Sequence, residues 1–268
     1  MNTIEDDMVG VDEAFEIPAR SFRNANRHIN TIGRIIRNFS ESKPYEYFIV
    51  EDDAPGTFVH AVRQIRGPDE DIGVIAFDAI NNLRSSLDHS MYASVRALRA
   101  REPTYPNAIE FPFGKDEKDA RRKLRSKSEV HPEVFEAALR FKPYSGGDRL
   151  LHGLDTVRNI KNHRIILDFT LGVQNLAVSS AHFVGDSNSS TLSIEQPRWN
   201  EREKRLDLFR SGSIIKAPKI DIGVRVLFDN FSPFNGESLY DILISMLGKV
   251  SDVLSDIEDV TTQIISRR

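Results

Sequence analysis

The run Asn81-Asn82-Leu83-Arg84-Ser85-Ser86-Leu87-Asp88-His89-Ser90-Met91-Tyr92 decides how this chain folds. It sits at the centre of residues 69–101, which hold no Pro and only one Gly, Gly73. About thirty residues can therefore form one helix, longer than the usual globular helix. At about 100° per residue, Phe77, Ile80, Leu83, Leu87, Met91, Val95 and Leu98 fall on one apolar stripe, which predicts a core helix. Arg84 interrupts that stripe. A buried guanidinium needs a counter-charge, and Asp88, one turn on, is placed to supply it. Asn82 and His89 project from the opposite side beside the small residues Ser85, Ser86 and Ala93, where a second packed surface or a site can form.

Working outward, residues 1–18 read as an acidic arm ended by Pro18. Phe22, Ala25, Ile29, Ile32, Ile36 and Phe39 then recur at helical spacing over residues 19–40. Two segments rich in aromatic and β-branched residues flank Ala54-Pro55-Gly56 and predict a β-hairpin over residues 45–66. Downstream of the long helix, residues 102–115 form a proline-rich loop carrying Phe111-Pro112-Phe113. An exposed helix over residues 116–127 holds Arg121, Arg122, Lys123 and Arg125, the densest positive charge in the chain and a candidate RNA-binding face. Pro132 opens the next helix, and Asp148 caps another that runs to about His163. Residues 164–229 alternate as short β segments between polar turns, with Trp199 as a packing anchor in a charged connector. Leu239, Ile242, Met246, Val250, Val253, Ile257, Val260 and Ile264 make a long closing helix. The predicted class is α+β: one helical-bundle domain over residues 19–268, interrupted by the hairpin and by a small antiparallel sheet before the C-terminal helix.

The chain has 268 residues, 40% hydrophobic and 28% charged, which suits a folded protein with a real core. A net charge of −4 gives no global attraction to nucleic acid, so any such binding needs a local patch. The absence of cysteine excludes disulfides and thiolate metal sites and fits a cytoplasmic location. No signal pattern and no membrane-spanning apolar run is present. Phosphate-binding Gly-rich loops, a Gly-x-Ser-x-Gly elbow and His-Glu-x-x-His are also missing, which removes the common nucleotide and hydrolase sites.

On the helix after Asp148, the residues His152, Asp155, Asn159 and His163 form one polar stripe opposite Leu150, Leu151, Leu154 and Val157. Histidines and carboxylates from two facing helices can converge on a metal, drawn here from His89, Asp88, His152, Asp155 and His163, but no spacing matches a common ligand motif. No metal and no cofactor is expected.

Two hexads, Arg84-Ser85-Ser86-Leu87-Asp88-His89 and Arg158-Asn159-Ile160-Lys161-Asn162-His163, share the form Arg, four residues, His. In this the sequence resembles the HEPN superfamily of helical-bundle ribonucleases and defence toxins, whose signature is Arg-x(4 to 6)-His, commonly with a polar residue after the Arg. The second hexad fits that form better. More broadly, residues 19–166 resemble a family of uncharacterised bacterial proteins through Asn-Leu-Arg-Ser-Ser-Leu-Asp-His with Tyr92, Phe-Pro-Phe, Lys-Pro-Tyr and Asn-Ile-Lys-Asn-His-Arg. That family usually has Asp-Lys where this chain has Lys161-Asn162, and usually lacks an Arg at the position of Arg158. The resemblance thus shifts weight to Arg84, His89, Asn159 and His163.

The HEPN resemblance implies a bundle fold and metal-independent RNA cleavage, with Arg84, His89, Arg158 and His163 as catalytic candidates. Asn82, Asp88, Tyr92, His152, Asp155 and Asn159 would support them. A histidine exchanges protons near neutrality, and an always-charged arginine stabilises the negative charge that builds on phosphorus. The resemblance also implies toxin or antiphage roles, with an antitoxin or defence partner. It extends to silencing by modification of a tyrosine two residues after the motif His, whereas Tyr92 lies three after His89. Residues five apart on a helix point about 140° apart, so one hexad cannot form a site alone. A composite is expected, with the His89 face packed near the His163 stripe or shared across a homodimer built on Ala79, Ser86, Ser90 and Ala93 of the long helix and on surplus length in the closing helix. The alternative is a non-catalytic helical interaction module, with Arg84 and Asp88 as a core ion pair and the histidines bonded across helices.

Overall fold

A computed structural model describes residues 10–99, 101–123, 129–160, 169–179, 182–184, 192–193, 198–200, 205–212, 214–216, 219–229 and 232–268, with residues 158–160, 169, 171–179, 182–184, 192–193, 198–200, 214–216, 219–222 and 224 described by backbone alone. The protein is mixed α and β. It divides into two compact units, Met1–Gly33 with Asp71–Thr170 and Leu227–Arg268, and Arg34–Glu70 with Leu171–Val226.

The first unit is built on α2 (Ile72–Arg99), the helix anticipated from residues 69–101. Its stripe of Phe77, Ile80, Leu83, Leu87, Met91, Val95 and Leu98 is buried throughout. Along it packs α6 (Leu239–Ser266), which also meets α4 (Pro132–Arg140) and α5 (Arg149–Ile160). Leu243, Met246, Val250, Val253 and Ile257 of α6 are fully or almost fully buried, each contributing on the order of 2 kcal/mol by leaving water. The helix starts follow their expected chemistry. Asp148 accepts from the Leu150 and Leu151 amides at 2.9 and 3.0 Å, and Pro132 sits in the first turn of α4. Asp116 caps the short α3 (Glu117–Arg122). A Cβ at Gly153 would fall 2.3 Å from the buried Phe234 ring, so the missing side chain is what seats that ring on α5.

Helix α1 (Val11–Glu41) begins before Pro18, not after it, so part of the expected acidic arm is helical. An interior proline forfeits a backbone hydrogen bond. Ala14, Phe15 and Pro18 are nevertheless buried and extend the Ala25, Ile29 and Ile32 stripe toward the N-terminus, and that burial offsets the lost bond.

The small-residue face of α2 is also corrected. Ala79, Ser86, Ser90 and Ala93 are each 0–1% exposed within the single chain. They are covered by the chain itself and offer no surface for a second copy. The serines can be buried because Ser86, Ser90 and Ser94 donate to the Leu83, Leu87 and Met91 carbonyls one turn back.

In the second unit the hairpin strands β1 (Tyr45–Glu51) and β2 (Phe58–Gln64) pair antiparallel as expected. The chain then forms β3 (Phe169–Ser179), β4 (His182–Val184), β5 (Leu192–Ser193), β6 (Arg198–Asn200), β7 (Arg205–Ser211), β8 (Ile214–Lys216) and β9 (Lys219–Phe228). Strand β2 pairs antiparallel with β7, so the hairpin and the later β segment, expected as separate insertions, share one sheet in the order β1-β2-β7-β5. Strand β6 also pairs with β7, which puts Trp199 on a strand opposite Leu206 instead of in a connector. Pairs β3–β9 and β4–β8 complete the described strands. Among the described residues no helix is long and apolar enough to cross a membrane.

Candidate functional site

Helix α2 carries two separate polar groups on different faces. On the first, Arg84 is 4% exposed inside the apolar stripe and its guanidinium lies over the Phe113 ring, 4.0 Å from the centroid. Its Nη1 pairs with Asp88, while Nε faces Asp155 Oδ1 of α5 at 3.4 Å without a hydrogen bond. Asp88 also accepts the Phe111 amide at 2.9 Å, so the Phe111-Pro112-Phe113 loop is stapled to α2 through the same carboxylate. One buried cation faced by two carboxylates presents no positive charge to a phosphate. This group ties α2 to α5 and to the loop.

On the second face, half-buried His89 points toward α1. Its Nδ1 shares a 3.2 Å hydrogen bond with Ser21 Oγ. The imidazole borders a cleft of about 260 Å³ lined by Ala14, Ile17 and Pro18 of α1 and by Tyr92 and Arg96 of α2. Tyr92 donates its hydroxyl to Glu102 Oε2, and Arg96 Nε lies 3.0 Å from Glu102 Oε1. The carboxylate so bonded, with burial second, raises the Tyr92 pKa above its ordinary value.

The expected packing of the His89 face near the α5 stripe is thereby corrected. Asp155 of that stripe meets Arg84, and His89 meets α1 instead, because side chains five residues apart leave the helix about 140° apart. Asn82 donates to the Asp78 carbonyl of its own helix at 2.7 Å. The His152 carbonyl accepts from Thr156, and its ring is half-buried. Arg158 and Asn159 lie in the last turn of α5 without described side chains, and His163 and Arg125 lie outside the described residues. The remaining basic candidates all face carboxylates. Arg121 bonds Glu117 and Glu136 at 2.8 Å each, Arg122 bonds Asp119 at 2.5 Å, and Lys123 lies 3.7 Å from Glu110. Among the described residues no three His, Asp or Glu side chains converge as a metal site.

A network that sequence reasoning missed lies in the second unit. His60 of β2 is 0% exposed, with Nε2 2.8 Å from Ser211 Oγ of β7 and Nδ1 hydrogen-bonded to the Tyr47 hydroxyl. Its ring stacks on Phe209, centroids 4.4 Å apart. Burial pushes the His60 pKa down to about 4 and that of Tyr47 up to about 12. The line Ser211, His60, Tyr47 has the order of a nucleophile, a base and an orienting group, but Ser211 is 2% exposed, so no substrate reaches it. No sequence signal joins residues so far apart. Arg96 was more accessible to reasoning, since His89, Tyr92 and Arg96 lie three and four residues apart on one face.

Comparison with family models, curated proteins and solved structures finds no match for this chain.

Proposed function

We propose that the chain is a metal-independent endoribonuclease of HEPN type working at the cleft beside His89. The observation that carries this is the cleft itself, where an imidazole, a guanidinium and a phenol share one helix face above apolar residues of α1. In the proposed reaction His89 takes the proton of a ribose 2′-hydroxyl, and the 2′-oxygen attacks phosphorus. The P–O5′ bond breaks as a proton is returned to the leaving oxygen, leaving a 2′,3′-cyclic phosphate. Arg96 stabilises the charge on the phosphorane, and Arg84 has a positioning role in holding α2 against α5. The Arg158 and His163 hexad supplies the second pair of catalytic candidates.

The test is incubation of the purified protein with total RNA in EDTA. Fragments ending in 2′,3′-cyclic phosphate, lost in His89→Ala, are expected. The toxin or antiphage role and an antitoxin partner rest on the HEPN resemblance; growth arrest on expressing wild type but not His89→Ala is the expected outcome. A second reading, a non-catalytic helical interaction module, is favoured by the sealed Arg84 pair and by the bond from His89 to Ser21 on the neighbouring helix. RNA left intact at high protein concentration selects it.

A further inference from the structure

We propose that Tyr92 and Arg96 form a phosphate subsite which Glu102 fills with its own carboxylate until a ligand displaces it. That the ligand is the phosphodiester of a single-stranded RNA rests on the ribonuclease reading; the anion subsite rests on geometry alone. Glu102 is held as a bound anion is held, one oxygen by the phenol and the other by a guanidinium nitrogen at 3.0 Å. Both donors come from α2 one turn apart, and His89 lies on the same face a turn before Tyr92. An anion at this position is thereby lined up with the imidazole. The cleft floor of Ala14, Ile17 and Pro18 is apolar, and Ile17 is 49% exposed, surface that a nucleobase or ribose can cover. At about 260 Å³ the cleft falls below the usual ligand-pocket range of about 300–1,000 Å³, which suits one nucleotide unit and excludes a duplex.

Glu102 is the exchangeable member of the set. Its side chain is 66% exposed against 26% for Arg96, and it follows the end of α2, in a segment where Glu129 bonds Arg101 and the Thr104 amide. An ion pair so exposed is weak and screened by salt. A free phosphate offers more charge and more acceptor oxygens than the carboxylate, and a phosphodiester, equal to it in charge, adds a ribose and base that cover the apolar floor, so either competes with the exposed Glu102, and the carboxylate acts as a built-in brake on the site.

The test is fluorescence anisotropy with a labelled 2′-O-methyl oligoribonucleotide of twelve residues, which cannot be cleaved, and with inorganic phosphate as competitor. Glu102→Gln is a surface change that leaves the fold intact; it is expected to tighten binding about two- to fivefold, the worth of an exposed pair. Arg96→Ala is expected to weaken binding about tenfold or more, as for a lost charged hydrogen bond. Phosphate binding that depends on Arg96 without oligonucleotide binding keeps the subsite and makes its ligand a small phosphate. Oligonucleotide binding that depends on Arg96 in a protein that cleaves no RNA also keeps the subsite and removes the ribonuclease reading. Cleavage by wild type together with unchanged affinity in both variants overturns the subsite alone, as does absence of binding to either probe.

Discussion

Protonating His60 should unlock the sheet that holds it. The imidazole is 0% exposed and sits between Tyr47 and Ser211 with its ring on Phe209, so its charged form has no water, and burial pushes its pKa to about 4. Unfolded, the same group titrates near its ordinary value of about 6.5. The folded value is the lower one, so above pH 6.5 both states are neutral and nothing is lost. As pH falls from about 6.5 to about 4 the unfolded chain takes the proton and the folded chain does not, and stability drops by about 1.36 kcal/mol per pH unit before levelling off. The full loss is about 3 kcal/mol, of which about 2.5 kcal/mol falls between pH 7.5 and pH 4.5. Trp199 is the sole tryptophan and lies on β6, in the same sheet as His60, so its fluorescence during urea unfolding follows this sheet. His60→Gln keeps hydrogen-bonding capacity toward both neighbours and cannot titrate. Wild type should therefore lose about 2.5 kcal/mol more than His60→Gln over that interval. Asp52, held below its usual pKa by Arg210, also loses stability in acid, but it does so in both proteins and cancels. Equal pH dependence in the two would refute the reasoning.

Arg84→Ala should destabilise the first unit by about 3–5 kcal/mol, because it leaves Asp88 and Asp155 facing each other without their cation, and calorimetry measures it. Arg84→Met combined with Asp88→Asn should recover much of that loss, since Met fills the volume and Asn still accepts the Phe111 amide. By contrast His89→Ala should abolish RNA cleavage while changing the melting temperature little, since the ring is only half-buried and its one described bond is 3.2 Å long. Comparable melting losses in His89→Ala and Arg84→Ala would make the histidine structural. Gly153→Ala should cost about 1–3 kcal/mol in urea unfolding through its clash with the Phe234 ring.

The elements and their inward faces were legible in the sequence because they are set by neighbours within a turn or two. The α2 stripe, the Asp148 cap, the hairpin around Ala54-Pro55-Gly56 and the pairing of Arg84 with Asp88 all follow from spacing along one segment. Even the 140° divergence of Arg84 and His89 follows from helical geometry. What each face meets did not follow. Ala79, Ser86, Ser90 and Ala93 carry a pattern that suits either a partner chain or the chain's own helices, and only packing showed them buried at home. Pro18 reads locally as a helix boundary, and burial of Ala14 and Phe15 overrides it. The pairing of β2 with β7, and with it the His60 and Ser211 bond, spans 151 positions, and nothing in either strand names the other. Sequence by itself determined the helices, the hairpin and the charges that needed partners. Tertiary structure alone decided that Arg84 is sealed against α5, that His89 opens on α1 beside Arg96, and that the hairpin shares a sheet with β5, β6 and β7 of the later β segment, because the choice among partners is made by long-range burial, which leaves no local period to read.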